Sequence, residues 1–282
     1  MSGQADPTRE PEFPACRTLA LDLRDGILWL SLNRPESRNA LSDEMLEELM
    51  AVVSVLENRP TVRAVVVRGA GGTFCAGGDI RGFRASFEAP PPPAGEADPI
   101  ARHNRRFGAF MAAFNALPQT VVAVVEGAAF GGGLGLVCAS DVALCMHETR
   151  FALSETGLGI PPAQIAPFVV QRIGLTQARR LALTGARFDG REALRIGLVH
   201  HSFADRPSLE EGLTAVLASI GRCAPGANAA TKRILFESLA LPLPEVLDRA
   251  AEVFASCLRG SEGREGVQAF LEKRAPAWVP KT

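Results

Sequence analysis

Apolar positions along this 282-residue chain change their period several times, and each change marks an element. TLALDLR and ILWLSLN (residues 18–33) flank Asp25-Gly26, a hairpin signal, and predict two strands, the second ended by Pro35. Residues 40–60 then take a helical period. Ser42 stands as its N-cap, Asp43 and Glu44 fall in the first turn, and Pro60 closes it. VRAVVVRG (62–69) and TVVAVVEG (120–127) are apolar on both faces and predict buried parallel strands. Between them, a helix is expected from about Ile100 to Ala116. A further helix is expected over 131–140, then strands over DVALCM (141–146) and RFALSE (150–155). From Ala163 onward the period is helical, over 163–174, 175–185, 190–199, 209–223, 227–240 and 262–274. No internal repeat of fixed period is visible. Strand and helix alternate over the first two-thirds, which implies right-handed βαβ crossovers in an α/β core, followed by a helical section.

Composition narrows the partners. With 47% apolar residues, 22% charged residues and a net charge of -1, there is no basic surplus to attract nucleic acid or anionic lipid. No stretch approaches the length of a membrane span. MSGQADPTREPEFPAC carries prolines and charges where a signal peptide needs an apolar run, so residues 1–16 are expected as a disordered tail. EAPPPPAGEADP (88–99) favours an extended surface loop or lid. The six cysteines lack C-x-x-C spacing and read as reduced, buried thiols of a cytoplasmic protein. The four histidines have no ligand spacing, so no metal site is expected.

The candidate chemistry lies in two glycine stretches, VVVRGAGGTFCAGGDI and VAVVEGAAFGGGLG. Neither fits a dinucleotide fingerprint, a P-loop or a nucleophile elbow. One such stretch alone is explained by close helix–strand packing. Two of the same design, after adjacent parallel strands, place both loops at one sheet end, where α/β proteins bind ligands. Two helix N-termini then aim free N–H groups into one space, and glycine leaves no Cβ in the way. Such a pair forms an oxyanion hole. RFALSETGLGIPPAQ supplies a proton carrier, because Glu155 follows an apolar run that disfavours its charge. The plainer role for Glu155 is to cap or brace a loop.

Six segments in this order resemble the enoyl-CoA hydratase/isomerase (crotonase) superfamily over about residues 17–279: LNRPESRNALS, FCAGGDI, VEGAAFGGGLGLVCASDVAL, RFALSETGLGIPP, LTGARFDGREALRIGLVH and EGVQAFLEKRAPAW. The resemblance implies a ββα-repeat spiral core over 17–200 and a helical trimerisation region over 201–282, assembled as a homotrimer or homohexamer. It implies an acyl-CoA substrate, with coenzyme A as part of the thioester and no separate cofactor. The oxyanion donors would be the N–H groups of Gly78 and Gly132, and the acid/base Glu155. Arg38, Ala40, Ala76, Asp79 and Ile80 would line the CoA groove, with Asp79 serving mostly as a helix N-cap. Phe270 and Lys273 match positions near the CoA phosphates, Lys273 either reaching a neighbouring subunit's ligand or standing as a solvated helix charge.

Two departures matter. The best-known hydratases carry two glutamates; the second matches Glu155, and the first falls at Gly135. Glu126, Asp141 and Glu148 lie nearby, and Asp141 reads as a buried structural carboxylate. The second departure is IPPAQIAPFVV, where the family has a glycine-rich turn. Its Pro162, Gln164 and Pro167 resemble a branch that hydrates isohexenylglutaconyl-CoA, whose extra carboxylate a Gln amide or a nearby Arg could meet. The leading expectation is hydration of an α,β-unsaturated acyl-CoA by a single glutamate. The alternatives are isomerisation of a 3-enoyl-CoA by the same base, or non-catalytic acyl-CoA binding.

Overall fold

The computed structural model describes residues 11–80, 90, 92–93 and 95–280. β1 (Leu19–Arg24) and β2 (Ile27–Leu32) form the expected antiparallel hairpin, turning through Asp25 and Gly26 at φ 52° and 70°. β2 then pairs in parallel with β3 (Ala64–Gly69), β3 with β4 (Thr120–Val125), and β4 with β6 (Val142–Met146). β9 (His201–Phe203) closes the edge in parallel with β6. A second sheet has the order β5 (Ala128–Phe130), β7 (Arg150–Ala152), β8 (Arg187–Phe188). The chain alternates between the sheets. β4 passes into β5 through Glu126 and Gly127, and β6 passes into β7 by a similar turn. After β3, Cys75 takes the second-sheet place by bridging to Ala129. α1 (Asp43–Glu57), α2 (Pro99–Asn115) and α3 (Gly132–Ala139) complete successive turns of a crotonase-like spiral.

Burial explains the apolar runs. Val65, Val67, Val121, Ala123 and Val125 face the main core with α1, α2 and α3. Val66, Val122, Val124 and Leu144 face the other way, under Leu209 and Leu213 of α6 (Arg206–Arg222). A strand covered on both sides has no polar alternation to show. α1 starts where its cap predicts: Ser42 Oγ accepts the Met45 N–H at 3.2 Å. Its buried face is Met45, Leu46, Leu49, Val52, Val53 and Leu56, a helical spacing.

Several expectations need correction. Residues 1–10 and residues 88, 89, 91 and 94 of the proline-rich loop lie outside the described residues. Residues 11–16 rest on the fold: Arg59 Nη1 donates to the Pro11 carbonyl at 2.9 Å and its guanidinium stacks 4.7 Å from the Phe13 ring centroid. The sheet runs past residue 200 through β9, beyond the expected start of the helical region. The segments read as helical over 163–185 form α4 (Ala166–Thr184), broken at Gly174, where φ 70° and ψ 161° leave the helical range. α5 spans Gly190–Arg195. The C-terminal section holds α7 (Pro225–Ala240), α8 (Leu243–Arg259) and α9 (Ser261–Leu271). α8 was not anticipated. Pro244 sits in its first turn, where a missing N–H costs nothing, yet it reads in sequence as a breaker.

The helical section is fastened to the core by two cations. Lys232 Nζ lies 2.6 Å from Asp141 Oδ2 and donates to the carbonyls of Leu117 (2.8 Å) and Gln119 (2.7 Å). Arg63 donates to the carbonyls of Trp278, Gly221 and Cys223. Asp141 also accepts the Val121 N–H at 2.7 Å, so it is structural, as expected. Lys232→Met would strand Asp141 and two carbonyls. It should lower stability by about 2 kcal/mol, since both partners are mostly but not wholly desolvated. Urea unfolding should show the midpoint falling at constant slope.

Candidate active site

The two glycine loops are stitched together by backbone. Cys75 N–H donates to the Ala128 carbonyl and Phe130 N–H to the Cys75 carbonyl, each at 3.0 Å. Gly133 packs directly on this bridge. A Cβ there would lie 2.6 Å from Cys75 Cβ and 2.7 Å from its carbonyl oxygen, so only glycine lets the loops close. Gly131 enters α3 at φ 48° and ψ -119°, a turn that L side chains rarely adopt. The Cys75 thiol is fully buried, and desolvation pushes it up to about 12, so it is inert packing.

This stitching leaves two N–H groups free. Around Gly78, Leu41 N–H bonds to the Gly77 carbonyl (2.8 Å) and Asp79 N–H to the Leu41 carbonyl (3.0 Å). That parallel bridge uses the groups on either side and leaves the Gly78 N–H without an acceptor among the described residues. Gly132 is the first residue of α3, where an N–H has no intrahelical partner. Both residues line one cavity of about 200 Å³, with Glu155 on its wall.

Glu155 follows β7 on a 3₁₀ turn (Glu155–Leu158). Thr156 Oγ1 donates to the Ala182 carbonyl at 2.9 Å and ties that turn to α4. The carboxylate lies against Gly131: a Cβ there would meet Glu155 Oε1 at 2.9 Å. Oε2 is buried with no hydrogen-bond partner among the described residues. Desolvation raises the Glu155 pKa above the ordinary glutamate value, against smaller opposing hydrogen bonds from its own N–H and that of Ser154. A half-buried carboxyl on the wall of a cavity lined by Gly78 and Gly132 is placed to move a proton beside an oxyanion held by their N–H groups.

The other expected residues divide into three groups. Ala76 and Ile80 line the cavity. Arg38, Ala40 and Asp79 stand behind it: the Arg38 carbonyl accepts the Ala76 N–H (3.0 Å), the Ala40 carbonyl accepts Arg34 Nη1 (2.7 Å), and Arg34 pairs with Asp79 at 3.4 Å. The helix that Asp79 was expected to cap falls on residues that lie outside those described. Phe270, on α9, is exposed, Lys273 follows that helix at φ 54°, and neither lines the cavity of this chain. Glu126 pairs with Arg206 at 3.7 Å, away from the cavity.

Sequence reasoning missed the brace of the first loop. Asn39 is fully buried; its Oδ1 accepts the Arg34 N–H, and its Nδ2 donates to the carbonyls of Ala70 and Thr73. It also missed the wall supplied by α2. Phe107 comes within 3.3 Å of a Cβ placed on Gly132. His103 Nε2 meets Asp43 Oδ1 at 3.1 Å, and Asn104 Oδ1 accepts Gln164 Nε2 at 2.8 Å. The helical spacing of 103, 104 and 107 was the available signal. At Gly135 the structure is decisive. A Cβ there would collide with Ile165 Cγ2 and lie 3.0 Å from Ile165 Cβ, so the place of a second carboxylate is filled by an apolar side chain.

The family model described as enoyl-CoA hydratase/isomerase matches residues 22–281. The chain belongs to the enoyl-CoA hydratase/isomerase family. Among solved structures, this family member is similar to Pseudomonas aeruginosa AtuE, with 52% identity and a TM-score of 0.89 over 94% of this chain and 100% of that one. It is also similar to an enoyl-CoA hydratase/isomerase from Marinobacter aquaeolei, with 45% identity and a TM-score of 0.90 over 94% and 100% of the chains. The peroxisomal Delta(3,5)-Delta(2,4)-dienoyl-CoA isomerase of Arabidopsis thaliana is 31% identical over 260 residues, 90% of this chain and 92% of that protein. A putative enoyl-CoA hydratase of Thermus thermophilus is 33% identical over 87% of this chain and 94% of that protein. Both activities thus occur among the names of its relatives.

Ionised Glu155 should weaken the fold. Its folded pKa is raised, so its contribution to stability is full below the unfolded value and is lost as pH rises through the folded one. Glu155→Gln should therefore melt at or above the wild-type temperature at about pH 8. That advantage should shrink towards about pH 4, where the wild-type carboxyl is protonated. Thermal melts across this range check it.

Proposed function

We propose that this enzyme adds water to an α,β-unsaturated acyl-CoA, with Glu155 as its single acid/base. The observation that carries this reading is the unpartnered Glu155 oxygen in the same cavity as the Gly78 and Gly132 N–H groups. The thioester oxygen would sit between those donors, which makes the β-carbon electrophilic and holds the enolate charge. Glu155 takes a proton from water as its oxygen bonds to the β-carbon, then returns that proton to the α-carbon. A desolvated carboxylate in this place favours catalysis over binding alone. Ala76 and Ile80 on the cavity wall, with Arg38, Ala40 and Asp79 behind it, support the CoA groove implied by the family motifs.

The acyl chain we favour carries a second carboxylate, of the isohexenylglutaconyl type. Support comes from the stiff 160–167 wall and from Arg105, whose Nη1 would lie 3.3 Å from a Cβ on Gly108, beside Gln164. The filled site at Gly135 favours one second reading, movement of a double bond in a 3-enoyl-CoA by Glu155 alone. Assembly as a homotrimer, or a hexamer of paired trimers, is supported by the exposed Leu243, Leu247, Phe254 and Leu258 of α8 and by Phe270 and Leu271 of α9. Six free cysteines support a reducing, cytoplasmic setting.

The decisive experiment is mass spectrometry of products from 2-enoyl- and 3-enoyl-CoA esters, glutaconyl types included, in heavy-oxygen water. Hydration gives a gain of one labelled water. An unchanged mass with a shifted double bond would establish the isomerase instead. Glu155→Gln should lower kcat by about a hundredfold or more in either case. The wild-type rate should fall with decreasing pH along a limb above the ordinary glutamate value, since only ionised Glu155 accepts a proton. Light scattering on Leu247→Glu and Phe254→Glu together should show a loss of the oligomer relative to wild type.

A further inference from the structure

The hydratase reading leaves the reacting water without a second holder, because Ile165 occupies the space at Gly135. We propose that the side-chain amides of Gln164 and Asn104 hold that water against the β-carbon. Gln164 is the neighbour of Ile165 in sequence, so it stands at the edge of the blocked position, and both amides line the cavity with Glu155. Around them the wall is Leu158, Ile160, Pro161, Pro162 and Phe107, none of which offers a side-chain hydrogen bond. A bound water needs two to four polar partners. Of the other polar groups on the wall, Ser42 Oγ caps α1 by accepting the Met45 N–H, His103 is paired with Asp43, and Ser154 directly precedes Glu155. Between Gln164 and Asn104 a single bond is formed, from Gln164 Nε2 to Asn104 Oδ1 at 2.8 Å. Each amide has two donors, so both Asn104 N–H groups and one Gln164 N–H remain for a water oxygen.

The amides are held in place by features that have no other evident use. Pro161 and Pro162 fix the chain ahead of Gln164, and their carbonyls accept the N–H groups of Ala163 (2.8 Å) and Ala166 (3.0 Å). On α2, Gly108 is bare where Gln164 Oε1 lies, and any Cβ there would collide with that oxygen. A glycine inside a helix is destabilising relative to alanine. Here it makes a slot that orients the Gln164 amide.

The step balances with one water and no other reactant. One amide N–H donates to one lone pair of the water oxygen, an amide carbonyl oxygen accepts the hydrogen that is not transferred, and the second lone pair stays free for the β-carbon. One hydrogen goes to Glu155 as the oxygen forms its bond to the β-carbon. The π pair moves to the α-carbon and thioester oxygen, where Gly78 and Gly132 hold the charge. Glu155 then gives the same hydrogen to the α-carbon, and the second stays on the new hydroxyl.

The test compares two reactions of one site. Hydration needs the water; exchange of the α-hydrogen of a saturated acyl-CoA in deuterated water needs only Glu155 and the two N–H donors. Gln164→Met and Asn104→Leu, singly and together, should lower kcat for hydration about 30-fold or more beyond any loss of exchange, with KM changing less. Gln164→Glu should keep most of the hydration, since Asn104 can turn its amide to donate to the new carboxylate. Equal losses of hydration and exchange would mean that the amides only shape the pocket, and the proposal fails. Unimpaired hydration in the double variant also overturns it. A wild-type enzyme that exchanges α-hydrogen but incorporates no labelled water from any 2-enoyl-CoA overturns the hydratase reading itself, and with it this proposal.

Discussion

The site depends on how closely two loops can approach. β3 and β4 are adjacent and parallel, so the loops that leave them emerge at one end of the sheet. Proximity of the strands does not by itself bring the loop backbones into contact. The Cys75–Ala129 bridge does so, and it closes only because Gly133 has no side chain to strike Cys75. Once it has closed, neighbouring groups are consumed in backbone bonds, and the N–H groups of Gly78 and Gly132, on the cavity wall, are left without a backbone acceptor among the described residues. Buried N–H groups without partners are rare because they are costly. A thioester oxygen would relieve that cost, most strongly when it carries charge.

Glu155 carries the same tension in a side chain. A carboxylate of ordinary basicity would be a poor proton acceptor near neutral pH, and one bound by many donors would be poorer still. Here the 3₁₀ turn and its Thr156 anchor hold the chain rigidly, while the side chain lies against Gly131 with Oε2 unsatisfied. A carboxylate held this way costs stability, as the acid/base role proposed for Glu155 would require. At Gly135 the opposite choice was made. Ile165 packs into the position and gains apolar contact with Met111 nearby, whose Cε is 3.5 Å from where a Cβ would stand. The polar work of that region passes to the amides on the cavity wall.

Elements whose cause is local were legible in the residues. The Asp25-Gly26 turn, the Ser42 cap, the valine-rich strands and the two glycine loops all follow from spacing and backbone preference over a few residues. β5, β8 and β9 were not legible, because strands of two or three residues show no period and exist only where a neighbour pairs with them. α8 was obscured by prolines and by an apolar stripe, Leu243, Leu247, Phe254 and Leu258, that stays exposed. Asp141 was recognisable as structural, but its partner Lys232 comes from the distant helical section, and no local pattern joins them.

By itself, the sequence determined the α/β class and pointed to the two glycine loops and Glu155 as the candidate site, because glycine placement and an apolar approach to a single glutamate are local facts. Tertiary structure decided what fills the space beside Gly135 and which side chains share the cavity with Glu155. α2 and the 160–165 segment are brought together only by packing, and their contact sets Gln164 against Gly108 and Asn104. A missing carboxylate can be seen in a sequence; what stands in its place is a question of volume and approach, which only the folded chain answers.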